Sequence, residues 1–142
     1  MIPLQAKNAE ERERLAAVVA RLGDADLERP LSHGWTVRDG LVHLAFWDLR
    51  AVTLIERYEA QGVSPSPADV EAINEAVLAL GRSIPPRAAA RLAVEAAAAV
   101  DRKLETVPDH VIEALPAAGN PFSLARHTHR KEHLDEIERA LR

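Results

Sequence analysis

TVRDGLVHLAFWDLRAVTLIERYEAQ, residues 36–61, is the stretch that decides the fold of this chain. Thr36 followed three residues later by Asp39 is typical of a capped helix start, and the Asp39 carboxylate also suits the positive end of the helix dipole. Apolar side chains then recur at helical spacing up to Gly62, which favours a stop. The stretch therefore predicts one long helix that buries one face, with core contacts from Leu41, Leu44, Ala51, Leu54, Ile55 and Tyr58.

Four further segments repeat apolar residues at helical spacing and are bounded by glycine, proline or capping residues. Asn8 with Glu11 forms a capping-box pattern that opens the first of them, and Pro67 takes the first helical position of another. The last segment starts at Asn120 and Pro121. The four predicted helices cover about residues 8–22, 67–83, 87–106 and 120–142.

The chain as a whole shows no strand-like alternation and no internal repeat. It holds 26 alanines, while aromatic residues make up only 4% of the sequence, a balance that favours helices over a sandwich or barrel. We predict an all-α fold with residues 1–142 as one domain. Four long helices with an additional short crossover helix, and an irregular stretch over residues 109–119, indicate a four-helix bundle.

Composition excludes several classes of function. The absence of cysteine rules out a disulfide framework, a thiolate zinc site and a cysteine nucleophile. A net charge of −4 gives no basic face for nucleic acid. The apolar run over residues 88–100 is interrupted by charges and too short for a membrane span, which needs roughly 20 apolar residues. Without a signal-peptide pattern at the start, we expect a soluble cytoplasmic protein.

The histidines carry the only hint of chemistry. His129 and His133 stand four residues apart, so they share one helix face, and they lie in the core-facing stripe of the last helix. His43 lies in the long second helix, and three imidazoles from two facing helices could hold a divalent ion and leave coordination positions open. Imidazole suits zinc, nickel, iron or copper. The alternative is a set of hydrogen-bonded core histidines without metal.

The other polar residues near this stripe have simpler interpretations. His127 falls about 200° around the helix from His129 and should face elsewhere. Glu132 is expected to be an exposed carboxylate, although it could lie at the rim of the site. Thr36 and Asp39 are expected to cap their helix, and the two tryptophans to line the core or a pocket. The residues expected on exposed surfaces are His33, His110, Arg126, Arg130 and Lys131.

The stretch GWTVRDGLVHLAFW, residues 34–47, resembles the G-W-[ST]-V-x-D-x-x-x-H-[LI]-x-x-W signature of the DinB-like superfamily, which includes mycothiol-dependent maleylpyruvate isomerases. Residues 69–76, DVEAINEA, resemble the opening of that family's next helix. HRKEHL, residues 129–134, is similar to its closing H-x-x-x-H-L motif. The resemblance covers essentially the whole chain.

This resemblance implies a four-helix bundle of up-down-down-up type, with a divalent metal held by His43, His129 and His133 at one end. Members with an understood reaction include transferases and isomerases that use mycothiol or bacillithiol. A metal-dependent enzyme that activates water or such a thiol, as an S-transferase, isomerase or hydrolase, is the first hypothesis. The others are a non-catalytic metal-binding or small-molecule-binding protein that protects against toxins, and a metal-free structural protein. We expect a small-molecule substrate, no nucleic-acid or membrane partner, and a monomer or homodimer.

Overall fold

The computed structural model describes residues 2–142, and these form helices, short turns and loops without a β-strand. The all-α prediction is therefore confirmed for the described part of the chain. No helix within residues 2–142 is both long enough and apolar enough to cross a membrane. The helices are α1 (Ile2–Arg21), α2 (Asp24–Leu27), α3 (Val37–Gln61), α4 (Val70–Gly81), α5 (Pro86–Thr106), α6 (Asp109–Ala114) and α7 (Arg126–Ala140).

The four longest packed elements, α1, α3, α5 and α7, surround a shared core. Helix α1 packs against α5 and α7, and α3 packs against the same two. Asn8 contacts His127 while Arg14 contacts Asp135, so α1 and α7 run in the same direction. The pair of Arg12 with Asp101 on α5 and the bond from Arg87 to the Leu22 carbonyl show that α1 and α5 run oppositely.

Alanine in α5 allows its neighbours to approach closely. Small side chains leave room for a facing helix, and the buried alanines of α5 fill the centre of the core. The extensive contact between α3 and α5 shows that these two helices lie close together. The buried alanines are Ala89, Ala90, Ala93, Ala96 and Ala97.

The start of α3 is confirmed in detail. The Asp39 backbone N–H donates to Thr36 Oγ1 at 3.2 Å, and the Thr36 N–H donates to Asp39 Oδ2 at 2.9 Å. This reciprocal capping box fixes where the helix begins. At the other end Gly62 has φ of 87°, a left-handed conformation that glycine adopts without strain.

Three other predicted helix starts are wrong. Helix α1 already begins at Ile2, and Asn8 lies buried within it, because its amide serves tertiary contacts instead of a cap. Helix α4 begins at Val70, capped by the Asp69 side chain, so Pro67 precedes it. Helix α7 begins at Arg126, and Asn120, with a φ of 50°, lies outside it in a left-handed conformation. The irregular stretch over residues 109–119 contains α6.

Candidate metal centre

His43, His129 and His133 lie together where α3 faces α7. The capping box places His43 in the second turn of α3, and the four-residue spacing places the other two on one face of α7. Each histidine offers one ring nitrogen to a group whose atoms all lie within 4.8 Å of one another. The Nε2 atoms of His43 and His129 are 2.8 Å apart. The structure thus assembles the three residues that the sequence singled out.

Burial keeps these imidazoles neutral. Desolvation, with a smaller contribution from the charge of His133, lowers the pKa of His43 to about 4. Desolvation, followed by the charges of His133, His43, Arg126 and Arg130, lowers the pKa of His129 to about 3. The pKa of His133 is also lowered by burial, against the opposing charges of Glu132 and Glu136. Since imidazole must be neutral to ligate, the cluster is ready to bind metal at neutral pH.

The donor set fits a divalent cation. Two neutral imidazoles can face each other at 2.8 Å only if one of them donates a proton, whereas a cation would accept a lone pair from every ring. His43 Nδ1 is buried and has no hydrogen-bond partner among the described residues. Three imidazole ligands with further positions open is the donor set of catalytic zinc sites. The three residues could therefore hold a metal ion such as zinc.

A cavity of about 650 Å³ opens onto the three histidines. Trp35 forms one side, with its ring centroid 4.9 Å from that of His43 and its plane within 10° of the His133 ring. Trp47 lines the cavity as well, and its Nε1 donates to Asn74 Oδ1 at 2.9 Å. Both tryptophans are therefore pocket walls, one of the two places expected for them. Asn74 was not identified from the sequence as a residue of the site.

Arg126 and Arg130 do not lie on exposed faces, so that prediction is wrong. Arg126 is 6% exposed and donates through Nε to Asp48 Oδ1 at 2.9 Å. Arg130 is 1% exposed and binds both oxygens of Asp101, at 2.8 and 3.0 Å. The physical reason is that carboxylates on α3 and α5 provide partners inside the core. One signal was available, because Asp48 falls at helical spacing within an otherwise apolar stripe of α3.

The remaining histidines lie outside the cluster. His127 faces α1, where its Nδ1 lies 3.0 Å from Asn8 Oδ1 and its backbone N–H donates to the same oxygen. His33 and His110 are exposed, as expected. Glu132 is exposed and lines the cavity, so it lies at the rim of the site.

The lowered histidine pKa values predict a loss of stability in acid for the metal-free protein. Between pH 7 and pH 5 the unfolded chain takes up protons at a pKa near 6.5, while His43 and His129 in the folded protein do not. The free energy of unfolding should therefore decrease as the pH drops. The decrease is up to about 1.4 kcal/mol per pH unit for a fully buried histidine and less for a partly exposed one. Denaturant titrations of chelator-treated protein at pH 7, 6 and 5 measure it. A pH-independent free energy of unfolding would contradict this.

His43→Asn should reduce that dependence by the contribution of one histidine, whereas His110→Ala, the matched control at an exposed histidine, should leave it unchanged. An ordinary histidine would lose metal as the pH drops through roughly 6.5. Because the pKa of His43 is about 4, we expect metal to be retained to lower pH.

Comparison with known protein families identifies the family to which most of this chain is similar. The family model described as the mycothiol maleylpyruvate isomerase N-terminal domain matches residues 9–135. Neither the curated proteins nor the solved structures give a significant match. The matched region contains all three clustered histidines and the capping box that positions His43. The chain therefore belongs to the mycothiol maleylpyruvate isomerase N-terminal domain family, within the DinB-like superfamily.

Proposed function

We propose that this chain is a metal-dependent enzyme in which His43, His129 and His133 hold a divalent ion, with zinc, nickel or iron as candidates. The reaction proposed is a thiol S-transfer, an isomerisation or a hydrolysis, with mycothiol or bacillithiol as the candidate thiol. One observation carries the proposal: three neutral imidazoles converge on the floor of a cavity large enough for a small molecule. Family membership supports the same chemistry.

A bound divalent ion would act as a Lewis acid that lowers the pKa of a water or thiol near it. The chain's own residues supply the setting. The histidines provide neutral ligands, and the Trp35 ring packs beside His43 and His133, which restricts their orientation. Apolar side chains supply most of the cavity surface around the cluster. Because the chain has no cysteine, a thiol nucleophile would have to come from a second molecule.

The arrangement of the helices is part of the proposal. Helix α1 runs with α7 and against α5. His43 contacts His129 while Asp48 contacts Arg126, so α3 runs against α7, and these directions support an up-down-down-up four-helix bundle. We further propose that residues 1–142 form one domain and that it works in the cytoplasm as a monomer or homodimer. A small molecule is the proposed partner, without nucleic acid or membrane.

A second candidate is a non-catalytic protein that binds or sequesters a toxic small molecule in the same cavity. It is favoured by the lack of acid–base groups. Among the described residues that line the cavity, Glu132 is the one carboxylate, and it is exposed. No buried carboxylate is therefore available there for proton transfer.

Metal-dependent thiol consumption tests the choice between the two candidates. We expect purified protein with mycothiol or bacillithiol and monobromobimane to form the thioether at least tenfold faster with zinc than after chelation. His129→Ala should remove this difference, because it removes one of three ligands, and His110→Ala should keep it. The binding protein would be supported instead if adding the thiol or monobromobimane quenched tryptophan fluorescence stoichiometrically, while no thioether formed with zinc, nickel or iron.

A further inference from the structure

Arg50 is held at the cavity wall by neutral groups. It lies on α3 seven residues after His43, so both face the same side of that helix. Its NH1 donates to the Pro121 carbonyl and its NH2 to the Ser66 carbonyl, each at 2.8 Å. Its guanidinium carbon lies 5.6 Å from the centroid of the Trp47 ring. These contacts fix the position of the guanidinium without neutralising its charge.

The two arginines that line the cavity differ in whether a carboxylate neutralises their charge. Arg126 is paired with Asp48 at 2.9 Å, so its charge is compensated inside the protein. Arg50 has no carboxylate within 4.0 Å among residues 2–142. Since a guanidinium carries five N–H donors and the two carbonyl bonds use two, donors remain free on Arg50. The cavity thus offers a preoriented positive group without its counterion.

The wall that Arg50 and the histidines share holds both apolar and polar residues, and the apolar ones provide most of its surface. The polar residues on it are Asn74, Ser123, Arg126, Thr128 and Glu132. A cavity of about 650 Å³ lies in the size range of sites for small organic molecules. Such walls favour an apolar body, because burying it removes hydrocarbon surface from water. The apolar residues that line the cavity are Trp35, Trp47, Val70, Pro121, Phe122 and Ala125.

We propose that the cavity takes an amphipathic small molecule with one anionic group, which pairs with Arg50, and an apolar body, which packs against the aromatic wall. The opposite end of the molecule would then face the three histidines. This deepens the proposed function by naming its substrate class, and it rests on that function only for what happens at the histidine end. A carboxylate is the anion that best matches the planar fork of a guanidinium.

Three probes separate the contributions to binding: 4-phenylbutyrate, its neutral analogue 4-phenylbutan-1-ol, and butyrate, which keeps the charge without the ring. Calorimetry and tryptophan fluorescence on the full chain should show that 4-phenylbutyrate binds at least tenfold more tightly than either of the others. Equal binding of 4-phenylbutyrate and the alcohol would overturn the role of Arg50. Equal binding of 4-phenylbutyrate and butyrate would overturn the apolar wall.

Arg50→Gln should remove the preference for the acid over the alcohol, while Arg57→Gln, an exposed arginine on the same helix, should preserve it. If Arg50→Gln fails to fold, Arg50→Lys retains the charge and should keep a reduced preference; a full preference in a folded Arg50→Gln variant overturns the proposal. Repeating the titration on chelated protein separates the two hypotheses. If the protein prefers the acid but binds no metal, the substrate-class inference is supported and the metal-dependent function is contradicted. If it binds metal but shows no preference for the acid, the metal site is supported and the substrate-class inference is overturned.

Discussion

Replacing His129 and His133 together by alanine is expected to abolish the binding of one divalent ion per chain. Both residues contribute a ring nitrogen to the cluster, and His43 alone cannot hold a metal in a protein site of this kind. Zinc at 100 times its Kd should stabilise the wild-type fold by about 2.7 kcal/mol, a rise in Tm on the order of 10 °C. The double variant should show no such rise. Elemental analysis after gel filtration and calorimetry with and without zinc measure both effects.

His110→Ala is the matched control, because it removes an exposed imidazole outside the cluster and should leave metal binding intact. Far-UV circular dichroism of the double variant verifies that the helices remain, so that lost binding is not mistaken for lost folding. Full metal occupancy in the double variant would refute the site.

The second large effect is expected at Asp101, where the Asp101→Asn substitution should lower the free energy of unfolding by about 3–5 kcal/mol. The Asp101 carboxylate binds Arg130 through both oxygens, and Arg12 lies 2.6 Å from one of them. Since Arg130 is only 1% exposed, removing this carboxylate leaves its buried charge with only the longer contact to Asp48 at 3.5 Å. Urea denaturation measures the loss.

The comparison is Asp135→Asn, which removes a carboxylate that contacts Arg14 and Lys131 nearer the surface. Exposed ion pairs contribute about 0–1 kcal/mol, so this variant should remain close to wild type. If the two substitutions lowered the free energy of unfolding by similar amounts, burial of the Arg130–Asp101 pair would not be what determines its contribution to stability.

Asp101→Asn should also weaken metal binding. Arg130 follows His129 directly on α7, and its ion pairs reach Asp101 on α5 and, at 3.5 Å, Asp48 on α3. The network therefore sets how α7 sits against the helix that carries His43. We expect lower zinc affinity in a folded Asp101→Asn variant and unchanged affinity in Asp135→Asn, both measured by competition with a chelating dye.

Local pattern in the sequence predicted that the chain is helical, where α3 begins, and which two histidines share one face of α7. The Thr36–Asp39 capping box is made by residues three apart, and the two histidines of α7 share a face because they are four apart. Such features depend on helix geometry within one or two turns, which the sequence encodes directly. The motif around His43 likewise indicates the family by its residues alone, and the family match over residues 9–135 confirms it.

Only the tertiary structure decided which polar groups are buried and what they contact. Asn8 is a good cap by residue type, yet its side chain binds the Leu124 carbonyl, 116 positions away. Arg130 is charged and was expected in solvent, yet Asp101 and Asp48 from two other helices make its burial possible. A charged side chain can be buried only where folding brings oppositely charged or hydrogen-bonding partners to it. Those partners are distant in the sequence, so local residue spacing does not predict them.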